Sequence, residues 1–274
     1  MKKVKYFDTN TIGIDYIVGD LHGCYYDLMA ALNAINFDKT RDRLFSVGDL
    51  IDRGPDSFKT AHLIYEPYFF SVRGNHEQLM IDAILNKDRS MAACWLNNGG
   101  VWHASYDDVE LNSLARDLNE LPLIICVGEG ENRFNIVHAE LTHRPVVNGH
   151  KTPILVTNEM IDNWTFTDDD EQDMIWGRTL LTLAKVLDTD KGKRFHAGTL
   201  STTYVGHSQV RESVIIEKQV FIDTSAVNFH MSQNKSEKDC ITLAEPNKKL
   251  LHKFSMLNRT IETIEQDTLL KYCQ

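Results

Sequence analysis

A chain of 274 residues with 42% hydrophobic side chains can bury one sizeable core and fits one large domain. Its formal charge of -10 argues against a general nucleic-acid or anionic-membrane binder, so any phosphate it handles must be met by a local positive site. The five scattered cysteines (Cys24, Cys94, Cys126, Cys240, Cys273) read as reduced thiols of a cytoplasmic protein, the N-terminal lysines have no apolar stretch behind them, and no apolar run approaches the roughly 20 residues of a membrane span.

Tyr16-Ile17-Val18 is a short apolar run, followed by the loop Gly19-Asp20-Leu21-His22-Gly23 and then by Leu28, Leu32 and Ile35 at helical spacing. The unit repeats as Arg43 to Val47, the loop Gly48-Asp49-Leu50-Ile51-Asp52-Arg53-Gly54, and a helix from about Asp56 to Tyr65. It comes a third time as Tyr68 to Val72, the loop Arg73-Gly74-Asn75-His76-Glu77, and a helix carrying Leu79, Ile81, Ala83, Ile84 and Leu85. Such alternation predicts a substantially parallel sheet with helices packed on it. Asn97-Asn98-Gly99-Gly100 breaks the pattern. A helix is predicted from about Asp107 until Pro122, then a hairpin of Leu123 to Val127 and Phe134 to Val137 whose second strand delivers His138.

Residues 141 to 170 are the least regular, ending in the acidic run Asp168-Asp169-Asp170-Glu171, which suits the start of a helix predicted from about Gln172 to Leu187. Lys191-Gly192-Lys193 reads as a turn, and Thr203-Tyr204-Val205 as a strand delivering Gly206-His207-Ser208. Ser213 to Ile216 and Val220 to Asp223 form a second predicted hairpin, and Cys240 to Ala244 a further strand. Ile261, Ile264 and Leu269 on a polar background predict a C-terminal amphipathic helix, so the domain boundary is placed after residue 255, with 256-274 a helical extension.

Loops that follow strands are where open α/β sheets do their chemistry. Carboxylate, imidazole and amide groups together suit divalent metals of mixed nitrogen and oxygen preference better than calcium. Asp20 and His22, two apart, can aim at one ion. Asp49 is placed to be shared by two, and Arg53 and Arg73 beside them offer the planar cationic fork that phosphate oxygens favour. Taken singly, each of these residues would be solvated polar surface. Three such loops in order are not explained that way.

The segments GDLHGCY (Gly19 to Tyr25), SVGDLIDRG (Ser46 to Gly54), VRGNHEQLM (Val72 to Met80) and ELPLII (Glu120 to Ile125) resemble the phosphoprotein phosphatase branch of the calcineurin-like metallophosphoesterases. The resemblance is to its lambda-type phage and bacterial members, dense over residues 16 to 138 and patchy afterwards, through Ile175 to Arg178, Val205 to His207 and Ile222 to Thr224. It implies an α/β fold of mixed sheets packed as a central sandwich flanked by helices. It also implies two divalent ions, manganese first with iron or zinc as alternatives. Asp20, His22 and Asp49 would hold one ion, and Asp49, Asn75, His138 and His207 the other. Arg53, Arg73 and Arg178 would bind phosphate, and His76, oriented by Asp52, would be the general acid. The implied reaction is in-line attack by a metal-bridging hydroxide on a phosphoprotein or small phosphoester, phosphoserine and phosphothreonine foremost. The sequence departs from its relatives at Glu140, Ser208 and Ser225, where aspartate, threonine and glycine are usual.

Two rivals stand beside this expectation. A related branch hydrolyses dinucleoside polyphosphates, but tends to have glutamine where His22 stands and lacks the Asp52-Arg53 pair. A catalytically silent metal-binding or regulatory protein would have lost ligands or the acid, and none is lost here. The remaining histidines (His62, His103, His143, His150, His196, His230, His252) read as structural or exposed.

Overall fold

A computed structural model describes residues 3-143, 146-147, 150-151, 156-187 and 199-272. The three strand-loop-helix units form as predicted. Strands Asp15–Val18, Arg43–Ser46 and Phe69–Ser71 lie side by side and parallel, followed by helices Tyr25–Ala34, Ser57–Ala61 and Asn75–Ile84. Strand Cys240–Glu245 then adds antiparallel to Asp15–Val18, and Leu250–Ser255 and Thr260–Glu265 extend the sheet to six strands.

A second sheet of seven strands runs Val4–Phe7, Ile124–Val127, Phe134–Val137, Thr202–Val205, Gln219–Phe221, Val214–Ile216 and Leu270–Tyr272 in spatial order. Both predicted hairpins are there and antiparallel, while Phe134–Val137 and Thr202–Val205 pair in parallel and so deliver their loops to the same end.

The sheets face each other across an apolar layer in which Ile17, Phe45 and Val47 meet Ile125, Phe134, Ile136 and Tyr204, all buried. Strand residues alternate between faces, so the same strands supply the outer layers as well. On one side Leu28, Leu79, Met80, Leu111, Leu114 and Leu118 from the N-terminal helices cover the six-stranded sheet. On the other, Met174, Ile175 and Leu181 cover the seven-stranded one. The fold is a central sandwich of mixed sheets flanked by helices.

Two sequence expectations are corrected. The C-terminal stretch is not a helix: Thr260–Glu265 is a strand and Leu270–Tyr272 another, one in each sheet, so residues 256 to 272 are woven into the sandwich. Ile261, Ile264 and Leu269 fall at helical spacing, but Thr260, Ile261, Thr263 and Ile264 are β-branched, and that stiffness favours the pleated surface. The helix expected over 172 to 187 is two, Asp168–Trp176 and Thr179–Leu187, broken where Gly177 takes an extended conformation (φ -63°, ψ 142°). Thr167 caps the first with its hydroxyl on the Asp170 backbone N–H, so the acidic run lies inside its first turn. The turn expected at Lys191-Gly192-Lys193 lies outside the described residues.

Candidate active site

Asp20, Asp49, Asn75, His138 and His207 all leave the carboxyl ends of strands, three from one sheet and two from the other, and meet at the top of the sandwich. Asp49 is at the centre. Its carboxylate lies 3.5 Å from His22 Nε2, 3.9 Å from His76 Nε2 and 3.4 Å from His138 Nε2, and accepts the His76 backbone N–H at 3.0 Å. Asn75 Oδ1 bridges the second group, 2.9 Å from His138 Nε2 and 2.7 Å from His207 Nδ1. The Asp20 carboxylate accepts the His207 backbone N–H at 3.1 and 3.0 Å, an approach open only because Gly206 has no side chain: a Cβ there would fall 1.9 Å from Asp20 Oδ1. All six proposed ligands are buried; five of them gather around Asp49 and Asn75, and Asp20 joins them through the His207 backbone.

The backbone is bent to achieve this. His22, Asp49, Asp52, Arg53 and His207 have positive φ angles of 42° to 75°, a region costly for side chains with a Cβ. Glu77 supports the central bend, its carboxylate accepting the N–H groups of Asp49 (2.9 Å), Leu50 (2.8 Å) and Gly74 (2.8 Å).

Protonation follows from these contacts. His22 Nδ1 donates to the Ile51 carbonyl at 3.0 Å and His138 Nδ1 to the Val47 carbonyl at 2.7 Å, which leaves each Nε2 as a lone pair facing Asp49. Burial holds both imidazoles below their ordinary range, so they are neutral, and His207 is lowered to about 3, again by burial first. Burial works against ionising Asp49, but His138, His76, His22 and His207 together hold its carboxyl well below its usual value. Asp20 is pushed well above its usual range by burial and then by the charges of Asp223 and Asp49, and burial raises Asp223 to about 6 and Glu77 to about 7.

The His138 lone pair faces an ionised carboxylate and His207 Nε2 is buried without a hydrogen-bond partner, an arrangement that a cation would satisfy; at His22 the Arg53 guanidinium stands 2.8 Å from Nε2. Two donor sets meet the need, each with ligating atoms within 4.8 Å of one another: Asp49 with His138 and His207, and Asp49 with His22 and His76, in the second of which a His76 that keeps its proton would leave His22 and Asp49 as the donors. The residues fit a pair of divalent ions sharing Asp49.

His76 differs from the other histidines. Burial tends to lower it, but Asp49 and the Asp52 carboxylate, whose Oδ2 accepts from Nδ1 at 2.6 Å, raise it above its ordinary value. Its Nε2 is buried and has no hydrogen-bond partner. A cleft of about 420 Å³ opens over this floor, lined by Asp49, Arg53, Asn75, Arg178 and His207, with Asn228 and Met231 on its far wall. Arg53 donates to His22 Nε2 at 2.8 Å, and Arg178 reaches Ser208 Oγ at 3.4 Å.

Arg73 is not brought to the cleft. Its guanidinium donates to the Asn119 and Leu121 carbonyls and to Gln78 Oε1, tying the loop to the end of the helix Asp108–Asn119. Residues to which the sequence reading gave no role complete the site. Glu140, one methylene longer than its expected counterpart, accepts the N–H groups of Thr179 (2.9 Å) and Leu180 (2.8 Å) and so restarts the helix just after Arg178. Trp95 and Trp102 donate to Asp52. Glu77 and Asp223 stood inside recognisable motifs; the tryptophans carried no local signal of their contact.

Known proteins resemble this chain in sequence and in fold. The chain is 29% identical over 231 residues to serine/threonine-protein phosphatase 2 of Salmonella typhimurium, covering 82% of this chain and 94% of that one. A protein serine/threonine phosphatase of Saccharomyces cerevisiae superposes over 96% of this chain and 84% of its own, with a TM-score of 0.58 at 16% identity. A structure described as a putative diadenosine tetraphosphatase superposes over 96% and 98%, with a TM-score of 0.55 at 22% identity. Residues 16–204, which carry all but one of the clustered ligands, match the calcineurin-like phosphoesterase family, and the chain belongs to it.

Proposed function

We propose that this phosphoesterase is a protein phosphatase, releasing phosphate from phosphoserine and phosphothreonine, with phosphotyrosine and small monoesters as further substrates. The observation that carries the reading is the buried Asp52-His76 pair beside Asp49, under a cleft that Arg53 and Arg178 line. A serine or threonine alkoxide is a poor leaving group and needs a proton as the ester bond breaks, and His76, whose hold on a proton two carboxylates strengthen against burial, can carry one at Nε2. Arg53 and Arg178 would grip the phosphoryl oxygens and hold phosphorus over Asp49.

Asp20, His22 and Asp49 would hold one divalent ion and Asp49, Asn75, His138 and His207 a second, with manganese the expected metal. Bound there, the pair supplies Lewis acidity toward the phosphoryl group and toward water. The residues' own part is to orient and protonate. Glu77 keeps Asp49 aimed at the shared position, and Glu140 keeps Arg178 at the mouth of the cleft.

Dinucleoside polyphosphate hydrolysis is the second reading, favoured by the structural likeness to a putative diadenosine tetraphosphatase. Its leaving group is a phosphate, which departs without help from an acid, so a buried acid pair supports the monoesterase reading instead. The similarity to the Salmonella phosphatase over most of both chains supports the same choice. Rates on a phosphoserine peptide and on diadenosine tetraphosphate, with manganese, decide. A kcat/KM higher for the peptide is expected, and a higher value for the dinucleotide would overturn the proposal.

A further inference from the structure

Asp52 is fully buried, yet its carboxylate has more to do than orient one imidazole. The Trp95 indole N–H lies 3.0 and 3.1 Å from its two oxygens, and the Trp102 indole N–H donates to Oδ1 at 2.7 Å. His76 Nδ1–H donates to Oδ2 at 2.6 Å. Three side-chain donors therefore surround the carboxylate, two of them neutral and rigid.

The two tryptophans belong to one segment. Trp95 lies in the helix Arg89–Asn97 and Trp102 in the 3-10 turn Gly100–Ser105, and their rings cross at 86° with centroids 6.2 Å apart. The glycines between them allow the approach. Gly99 has φ 103°, and a Cβ there would meet the Arg53 backbone nitrogen at 2.6 Å; one on Gly100 would meet Trp95 Nε1 at 2.6 Å. The Gly99 carbonyl also accepts the Arg53 backbone N–H at 3.4 Å. The Asn97 to Gly100 break in the helical pattern thus folds two indoles onto the carboxylate and braces the phosphate-binding Arg53.

We infer that Trp95 and Trp102 are positioning residues for the general acid: their indole N–H groups fix the Asp52 carboxylate so that it aims His76 Nε2 at the leaving oxygen. The inference rests on the monoesterase reading above. Without the indoles the carboxylate can turn about its Cβ–Cγ bond, because the imidazole alone fixes one oxygen only. The proton on His76 would then stand out of line with the leaving oxygen. The loss should fall on substrates whose departing alcohol needs that proton and spare those whose phenolate leaves unaided.

The test compares Trp95→Phe, Trp102→Phe, their double variant and His76→Asn, each manganese-loaded, on p-nitrophenyl phosphate and on a phosphoserine peptide. Trp102→Phe keeps an aromatic ring at a partly exposed site and should lower kcat on the peptide on the order of tenfold, while kcat on the nitrophenyl ester stays within about twofold. The double variant should approach His76→Asn, with a peptide-selective loss of roughly 10²-fold or more. Equal losses on both substrates in the tryptophan variants, with a selective loss in His76→Asn, would overturn the positioning role and leave the acid assignment standing. No selectivity in His76→Asn would overturn both. Should Trp95→Phe fail to fold, the indole N–H resonances of the unaltered protein supply a second measurement. Both should move downfield of exposed indoles and shift in Asp52→Asn; indole signals unchanged in that variant would count against the contact.

Discussion

At the scale of single residues, the charge balance around Asp49 decides which substitutions matter. Among the described residues it is the carboxylate shared by both donor groups, and neutral imidazoles cannot replace its charge. Asp49→Asn is expected to lose bound metal and to lower kcat/KM by on the order of 100-fold or more, checked by elemental analysis alongside kinetics. The arginines divide differently from their order in the sequence. Arg53→Ala should weaken inhibition by inorganic phosphate, because Arg53 lines the cleft. Arg73→Ala should leave that inhibition nearly unchanged and instead lower the melting temperature, since it strips donors from two part-buried carbonyls, at about 1 kcal/mol each. A Kd for phosphate that moves in Arg73→Ala but not in Arg53→Ala would reverse the assignment.

At the scale of elements, the corrected C-terminus changes what a truncation should do. A helical extension could be removed with little harm, but Thr260–Glu265 pairs along its whole length with Leu250–Ser255, which in turn buries Leu251 between the sheets. Removing residues 258 to 274 is expected to give insoluble or unfolded protein rather than an altered enzyme, measured by recovery of soluble chain and by the melting curve. The three strand-loop-helix units were legible because short apolar runs and stretches of helical spacing alternate cleanly there. The C-terminal strands were not, because Ile261, Ile264 and Leu269 satisfy a helical template by coincidence while only tertiary pairing makes Thr260–Glu265 and Leu270–Tyr272 strands. The broken helix at Gly177 was illegible for a related reason: the break is held by Glu140, thirty-odd residues upstream, a contact no local pattern encodes. The same limit hid Trp95 and Trp102, and it placed Arg73 by adjacency to a ligand rather than by where its side chain turns.

At the scale of the whole molecule, the site gathers excess negative charge into a dry region of a chain that is already acidic. Asp20 and Asp223 keep protons further into the pH range than ordinary carboxyls, through burial first, whereas His22, His138 and His207 are neutral already. Protons displaced by a metal must therefore come from the carboxyls. Affinity for manganese should be highest above about pH 6 and fall as pH drops through that value, with proton release near the midpoint. Calorimetry in buffers of different ionisation enthalpy measures this directly. Binding without net proton release between about pH 5 and 6 would show that the carboxyls are ionised before the metal arrives.

The positive φ angles at His22, Asp49, Asp52, Arg53 and His207 bear on the chain's possible descendants. Each such position costs of order 1–3 kcal/mol that a glycine would not incur. A laboratory selection for heat resistance alone, run without metal and blind to turnover, would therefore find its easiest gains by placing glycine at these five sites. The survivors would be sturdier and inert, and the order in which the five were lost would rank how much strain each one carries.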